Sequence, residues 1–225
     1  MHPAYEREFI CEYDRMWINR IRLRFAQAGL CALLLLIHPL RAIAADDVTT
    51  QLGVLRDAFV ASVHTASEKC QLAPPTIVTV DTPSFGSFDA ASNTLRTPLW
   101  RQLSPQEQGV FVRAAGPDAS PAQAQAEFEI GAHHWIFVHE LGHWWQACRH
   151  LTGTLPHYTA EFDANRIATA YWREHDPALL THQGQLFRRI VKMAPSPVPS
   201  GAVLESYFNE NYEQLGPTPA YIWFQ

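Results

Sequence analysis

A short run in the middle of the chain, His139-Glu140-Leu141-Gly142-His143, constrains the fold more than any other feature. On an α-helix, residues four apart lie on the same face, so His139 and His143 can direct two imidazole rings at one metal ion. Glu140 is offset around the helix, where its carboxylate can reach a water molecule beside that ion. The spacing therefore predicts a helix that carries a metal site on one face.

The residues around this run are apolar and uncharged. Trp135-Ile136-Phe137-Val138 precedes it, and Trp144-Trp145 follows it. A charge is costly to bury, so these flanks suit a helix inside the protein, and we predict one long helix over 121–150. The same pattern also fits a core helix whose two histidines are hydrogen-bonded and hold no metal. The motif by itself leaves that alternative open.

A catalytic metal ion usually takes three protein ligands and keeps one position for water. One familiar arrangement places a third His six residues after the second, but that position holds Arg149. The apolar spacing of the segment 158–172 predicts a second helix, on which Glu161 and Asn165 lie four apart on one face. Glu161 is the predicted third ligand. The side-chain oxygen of Asn165 can accept a hydrogen bond from the outer ring nitrogen of a ligating His.

These two segments resemble the gluzincin metallopeptidases, and most closely the ImmA/IrrE-type proteins, whose second motif runs Glu-x-Glu-Ala-Asn-x-Phe-Ala. In this chain the matching run is Glu161-Phe-Asp163-Ala164-Asn165-Arg-Ile-Ala168. The resemblance implies Zn²⁺ held by two His and one Glu, and peptide-bond hydrolysis as the activity. It also implies a small sheet over the metal helix, with an edge strand that pairs with an extended substrate. We assign residues 76–99 to that sheet.

Several other side chains near the motifs are candidates for the site. Asp163 is an alternative ligand to Glu161, although residues two apart on a helix face opposite sides. His157 and Tyr158 precede Glu161 and are candidates for stabilising an oxyanion or contacting substrate. His133 and His134 either line a cleft or belong to a polar patch, and the patch is the favoured interpretation.

The N-terminal residues 1–45 have the pattern of a secretory signal peptide. A basic stretch around Arg20 and Arg24 precedes an apolar run over 26–37, and small residues follow at 42–45. The apolar run is too short for a comfortable membrane span. Residues 1–15 are polar, which favours Met16 as the true start. We therefore predict export to a periplasmic or extracellular space, with an uncleaved N-terminal anchor as the alternative.

The remaining residues, 46–225, fit one domain. They contain 11 Lys and Arg against 18 Asp and Glu, a net charge of −7. This balance favours neither nucleic acid nor an anionic membrane as a partner, and we expect no stable membrane insertion after cleavage of the leader. The oligomeric state is open. Cys70 and Cys148 remain in the exported part, where an even pair is most simply a disulfide.

Patterns along the domain predict an α+β fold that is mostly helical, and the gluzincin resemblance implies a zincin-like arrangement of a long active-site helix and a small β-sheet. Helices are expected over 47–69, from Ser104-Pro105, and over 177–193. The run 76–80 predicts a strand, and 84–99 predicts a strand pair or an irregular hairpin. The aromatic residues of the C-terminal tail are expected to pack against the domain.

The combined prediction is an exported zinc peptidase acting on a peptide or protein substrate. Glu140 would be the general base, and His139, His143 and Glu161 would hold Zn²⁺. The alternative is an exported zinc-binding or interaction protein of the same fold without catalysis. A third possibility keeps the chemistry and changes the substrate to another amide, such as one in a cell-wall peptide.

Overall fold

The computed structural model describes residues 45–66, 70–82, 84–216 and 218–224. These residues form a mostly helical structure with one small mixed sheet, which confirms the predicted α+β class. The leader predicted over residues 1–45, with the alternative start at Met16, lies outside the described residues apart from Ala45. The assignment of residues 46–225 to one domain stays a prediction.

Seven α-helices lie in the described part of the chain, and we number them in order. They are α1 (Ala45–Ala66), α2 (Pro105–Ala115), α3 (Pro121–Phe128), α4 (Phe137–Cys148), α5 (His157–His175), α6 (Pro177–Met193) and α7 (Leu204–Leu215). Short 3₁₀-helices occupy Trp100–Gln102 and Pro219–Phe224. The helix predicted to start at Ser104 is confirmed: its hydroxyl accepts from the Glu107 amide, and the Glu107 carboxylate accepts from the Ser104 amide.

The long helix predicted over 121–150 is present as a continuous helical run from Pro121 to Cys148, but it is not α-helical throughout. Between α3 and α4, residues Glu129–Ile136 form a π-helix, in which each turn is wider. His133 lies within this stretch and is buried, with its Nε2 atom 2.8 Å from the carbonyl oxygen of Pro98. This histidine therefore ties the helix to the segment that leaves the sheet.

The sheet has three strands in the order β1 (Thr76–Thr79), β3 (Thr94–Thr97), β2 (Ser87–Asp89). The predicted strand pair is confirmed, because β2 and β3 run antiparallel with Phe88 opposite Leu95. The carboxylate of Asp89 accepts hydrogen bonds from the amides of Ala91 and Ser92 in the connecting turn. The strand β1 pairs with β3 in parallel. This order places β2 at one edge of the sheet, against α4.

Two apolar clusters stabilise these elements. The larger one surrounds α4, whose Phe137, Leu141 and Trp144 are almost completely buried. The smaller one lies at the C-terminal end and is built on Phe208, Leu215 and Tyr221. The expectation that the aromatic tail packs against the domain is therefore confirmed.

Gly142 allows α4 and α5 to approach closely. A Cβ atom on this residue would lie 3.1 Å from the Cα atom of Ala164, which is fixed backbone in the facing helix. We expect Gly142→Val to lower the free energy of unfolding by about 1–3 kcal/mol, because the helices must separate. Gly53→Val is the matched control, since a Cβ at Gly53 meets nothing within 4 Å. Urea denaturation of both variants measures the difference, and equal losses would contradict the close-packing argument.

The predicted disulfide between Cys70 and Cys148 is present, with the two Cα atoms 5.0 Å apart. It joins the end of α4 to the segment that leads into the sheet. The indole nitrogen of Trp144 reinforces this junction by donating to the carbonyl of Ala73 at 3.0 Å. Disulfides persist in oxidising compartments, so the bond is consistent with an exported protein.

The bridge closes a long loop, because its cysteines are 78 residues apart in the sequence. We expect replacement of both by Ala to lower the free energy of unfolding by about 2–4 kcal/mol, chiefly by giving freedom back to the unfolded chain. Denaturation with and without a reducing agent provides the comparison. If the reductant destabilises the double variant as much as the wild type, the disulfide is not the source of the loss.

Among the described residues, no helix has both the length and the apolar character needed to cross a bilayer.

Candidate metal centre

Three side chains from two packed helices converge at one point. His139 and His143 come from α4, and Glu161 comes from the first half of α5. The Nε2 atoms of the two histidines are 3.1 Å apart. The Oε2 atom of Glu161 lies 3.0 Å from Nε2 of His139 and 3.4 Å from Nε2 of His143. These three groups could hold a metal ion.

Each histidine is oriented by a hydrogen bond at its other ring nitrogen. The Nδ1 atom of His139 is 2.9 Å from the Oδ1 atom of Asn165, and Nδ1 of His143 is 2.9 Å from the Oε1 atom of Gln146. An amide oxygen only accepts hydrogen bonds, so both Nδ1 atoms carry the proton. The lone pairs of both Nε2 atoms are then free to face Glu161 and a shared cation.

Gln146 and Asn165 are themselves held in place, which fixes their oxygen ends. The amide nitrogen of Gln146 donates to the carbonyl of Ala160 at 2.7 Å. The amide nitrogen of Asn165 donates to the carbonyl of Phe224 at 3.3 Å. With the nitrogen ends occupied in this way, the oxygen ends point to the two imidazoles.

The electrostatics of the cluster favour a positive charge between these groups. Burial disfavours the charged form of His143, but the Glu161 carboxylate outweighs burial and raises the pKa of His143 to about 9. Burial acts to raise the pKa of Glu161, yet the two imidazoles hold that pKa well below its usual range. The ionised Glu161 carboxylate therefore stabilises positive charge at this point, either a proton on Nε2 of His143 or a metal ion in its place.

Glu161 uses its two oxygens differently. Oε2 faces the histidines, whereas Oε1 accepts a hydrogen bond from the hydroxyl of Tyr212 at 2.9 Å. Tyr221 lines the cleft together with Glu161. Burial and the nearby Glu161 raise the pKa of both phenols, so both stay protonated and able to donate.

Glu140 lies on α4 beside the cluster and does not join it. Its side chain is almost fully buried, and burial raises the pKa of its carboxyl group. The backbone of Phe88, on the edge strand β2, lies near this carboxylate and acts to lower its pKa, against the larger effect of burial. The sheet also approaches α4 closely here, because a Cβ atom at Gly86 would lie only 3.3 Å from the Cγ atom of Glu140. Glu140 is thus held between the metal cluster and the sheet edge.

A cleft of about 440 Å³ opens over this site. One wall is the edge strand and the residues before it, a second is the loop after α4, and a third is the C-terminal end. Its lining includes Ser84, Gly86, Ser87, Phe88, Glu140, His143, Leu151, Thr152, Gly153, His157, Glu161, Tyr212, Glu213 and Tyr221. Glu140 and two of the three candidate ligands therefore face space that a substrate can enter.

The remaining predicted residues fall in different places. His157 lines the cleft and stacks on Tyr212 with ring centroids 3.9 Å apart. Tyr158 is not among the described residues that line the cleft, and packs against Phe208 in the smaller apolar cluster. Neighbouring positions on a helix point about 100° apart, and here His157 is directed to the cleft and Tyr158 to the smaller apolar cluster. Asp163 is half-exposed and lies 3.7 Å from Arg166, away from the histidines.

His133 and His134 do not line the cleft in the described part of the chain. The favoured interpretation, a partly exposed polar patch, is wrong for His133, which is buried, and both rings lie within hydrogen-bonding distance of backbone carbonyls. His133 is buried against Pro98, and the Nδ1 atom of His134 lies 2.8 Å from the carbonyl of Glu129. Their role in the described structure is to support the π-helix.

Three residues of the site were absent from the sequence prediction. Gln146 lies three positions after His143 on the same helix, and this spacing would have indicated contact. Tyr212 and Tyr221 are separated from Glu161 by 51 and 60 positions, and no local pattern connects them.

No protein-family model, curated protein or solved structure matches this chain. Its function must therefore be inferred from the geometry of this site.

Proposed function

We propose that this chain is an exported zinc-dependent peptidase of the gluzincin type. The observation that supports the proposal most is the convergence of His139, His143 and Glu161 at the base of an open cleft, with Glu140 beside them. A purely structural histidine pair in a core helix needs neither the third group nor the cleft.

The donor set and its spacing fit zinc. Two imidazole nitrogens and one carboxylate oxygen are the ligands of many catalytic zinc sites. Ligand atoms about 2.0–2.1 Å from a tetrahedral zinc ion lie roughly 3.3 Å from one another. The three donor atoms here form a triangle with sides of 3.0, 3.1 and 3.4 Å. Calcium and magnesium prefer sites made of oxygen ligands, which argues against both ions.

Glu140 is the general base of the proposed reaction. A zinc ion in the site would lower the pKa of water and polarise a substrate carbonyl. The Glu140 carboxylate accepts the proton of the attacking water and returns it to the nitrogen of the leaving amine. Burial supports this role, because a raised pKa brings the carboxyl group closer to the pH at which it must exchange protons.

The other residues of the site prepare it for this chemistry. Asn165 and Gln146 keep the Nδ1 proton on each imidazole and so leave Nε2 available. The close approach of the sheet at Gly86 holds the Glu140 side chain beside β2. The strand β2 borders the cleft, where an extended peptide can lie along the sheet edge, as the gluzincin resemblance implies.

The pattern of residues 1–45 and the Cys70–Cys148 disulfide together support export to a periplasmic or extracellular space. Within the described part of the cleft lining, no Lys or Arg is present to bind a phosphate. A peptide or protein is therefore the favoured substrate class.

The proposal is tested with oxidised protein comprising residues 46–225. Its zinc content is measured, and it is incubated with a library of peptides whose products are read by mass spectrometry. We expect cleavage that stops on addition of 1,10-phenanthroline and returns with zinc. Stoichiometric zinc without cleavage of any peptide would favour the non-catalytic alternative, and chelator-resistant cleavage would contradict the mechanism.

A further inference from the structure

The C-terminal end of the chain contacts the metal centre at several points. We call α7 (Leu204–Leu215) and the 3₁₀-helix Pro219–Phe224 together the C-terminal clamp. It supplies Tyr212 and Tyr221 to the wall of the cleft. It also forms the smaller apolar cluster, which is separate from the main core. The packing of the clamp therefore does not depend only on the core that holds α4.

The first contact is made with Glu161. The hydroxyl of Tyr212 donates to Oε1 at 2.9 Å, and Tyr221 lines the cleft together with the same residue. Glu161 is itself buried, so its Oε1 atom depends on a phenol donor for solvation. With Oε1 occupied, Oε2 is left to face the two histidines.

The second contact is made through Asn165. Its amide nitrogen donates to the carbonyl of Phe224 at 3.3 Å, while its oxygen accepts from Nδ1 of His139. One amide thus connects the last described residue of the clamp to the most buried candidate ligand. The clamp thus contacts Glu161 directly, and it reaches His139 through the side chain of Asn165.

The clamp is also anchored at the start of α5. The side-chain oxygen of Asn209 accepts from the backbone amide of Tyr158 at 2.8 Å. The ring of Tyr212 stacks on His157 at 3.9 Å and nearly parallel, which sets the direction of its hydroxyl. These contacts hold α7 beside the turn of α5 that carries Glu161.

We propose that Tyr212 and Tyr221 are positioning residues that hold Glu161 for the metal, so that metal binding and docking of the C-terminal clamp stabilise each other. The inference rests on the metal site of the proposed function and does not depend on peptide hydrolysis. A metal ion fixes the Glu161 carboxylate, and the fixed carboxylate favours its contact with the phenols. By linkage, clamp docking strengthens metal binding by the same factor as metal binding strengthens clamp docking, so loss of the phenol hydroxyls should weaken metal binding.

The test uses Tyr212→Phe, Tyr221→Phe and the double variant, because Phe keeps the ring that packs in the cluster. Tyr207→Phe is the matched control, since Tyr207 lies on the same helix and packs against the same cluster. Zinc affinity is measured by competition with a chromophoric chelator. We expect the double variant to bind zinc about 10–100-fold more weakly than the wild type, the effect of losing partners that orient ligands. Tyr207→Phe should bind zinc as the wild type does.

Hydrogen exchange provides a second readout that a merely structural role would not change. In the wild type, zinc should slow exchange of the amides of α7, and in the double variant this protection should largely disappear. Unchanged zinc affinity in the double variant, or equal exchange of α7 with and without zinc in the wild type, would overturn the inference. A wild-type chain that binds no zinc would overturn this inference and the proposed function together. A chain that shows the coupling but cleaves no peptide would contradict only the proposed function.

Discussion

Replacement of Glu140 by Gln should abolish nearly all turnover while zinc stays bound. Gln has almost the same shape and still contacts the sheet edge, but it cannot accept a proton from water at neutral pH. General base catalysis contributes typically about 10²–10⁴-fold, and we expect a loss of kcat in that range. The zinc content and the urea midpoint of the variant should stay close to those of the wild type, because Glu140 does not belong to the three-residue cluster.

The control for this variant is Glu174→Gln, which removes an exposed carboxylate from α5 far along the helix from Glu161. It should change kcat by less than about twofold, because an exposed charge at this distance is screened by salt. A Glu140→Gln protein that cleaves the same peptides as fast as the wild type would exclude Glu140 as the base. Loss of zinc in Glu140→Gln would instead show that the residue is part of the metal site.

Replacement of Glu161 by Ala should reduce zinc affinity by more than about 100-fold, because the loss of a direct ligand exceeds the 10–100-fold typical of losing a residue that only orients one. Hydrolysis should be lost with the metal. The variant also removes the carboxylate that accepts the hydrogen bond of the Tyr212 hydroxyl, which can then bond to water instead. The comparison is made by competitive zinc titration, and by the peptide assay at a free zinc concentration that saturates only the wild type.

Asp163→Ala is the matched control, because Asp163 is the neighbouring acidic residue that the sequence leaves open as a ligand. Its half-exposed carboxylate lies beside Arg166 and away from the histidines. Surface ion pairs contribute about 0–1 kcal/mol, so we expect little effect on stability and none on zinc affinity. If Asp163→Ala loses zinc and Glu161→Ala keeps it, the ligand assignment is wrong.

The spacing of residues along two helices was enough to predict the centre of the site. His139 and His143 lie four apart, as do Glu161 and Asn165, and helical geometry brings each pair onto one face. Distances of 2.9–3.4 Å between these side chains show that the two faces meet. Gly142 indicates why they can meet, since a Cβ atom there would lie 3.1 Å from the Cα atom of Ala164 and would push α5 back by a few tenths of an ångström.

Features that depend on distant parts of the chain could not be predicted in the same way. Tyr212 and Tyr221 reach Glu161 only because the C-terminal tail folds back over α5. The spacing of apolar residues in the sequence does not predict this packing. The strands were predicted from their composition, but the parallel pairing of β1 with β3 depends on tertiary contacts that local composition does not predict. Whether His157 or Tyr158 faces the cleft depends on the rotation of α5 about its axis, which the sequence does not fix. In the structure His157 faces the cleft and stacks on Tyr212 of α7.

The π-helix over Glu129–Ile136 is a further example. The apolar pattern of this stretch is compatible with an α-helix, so the sequence predicts one uninterrupted α-helix through these residues. The wider turn is supported by contacts from outside the helix, such as the hydrogen bond between Nε2 of His133 and the carbonyl oxygen of Pro98. Only the folded chain brings these groups together.

The most direct test of the metal centre is X-ray absorption spectroscopy at the zinc edge on the zinc-loaded protein and on the two acidic variants. We expect one zinc ion per chain, a first shell of nitrogen and oxygen at about 2.0–2.1 Å, and two imidazoles. The spectrum should change in Glu161→Ala and stay the same in Asp163→Ala. Sulfur in the first shell, a single imidazole, or a spectrum that Glu161→Ala leaves unchanged would contradict the three-residue metal centre.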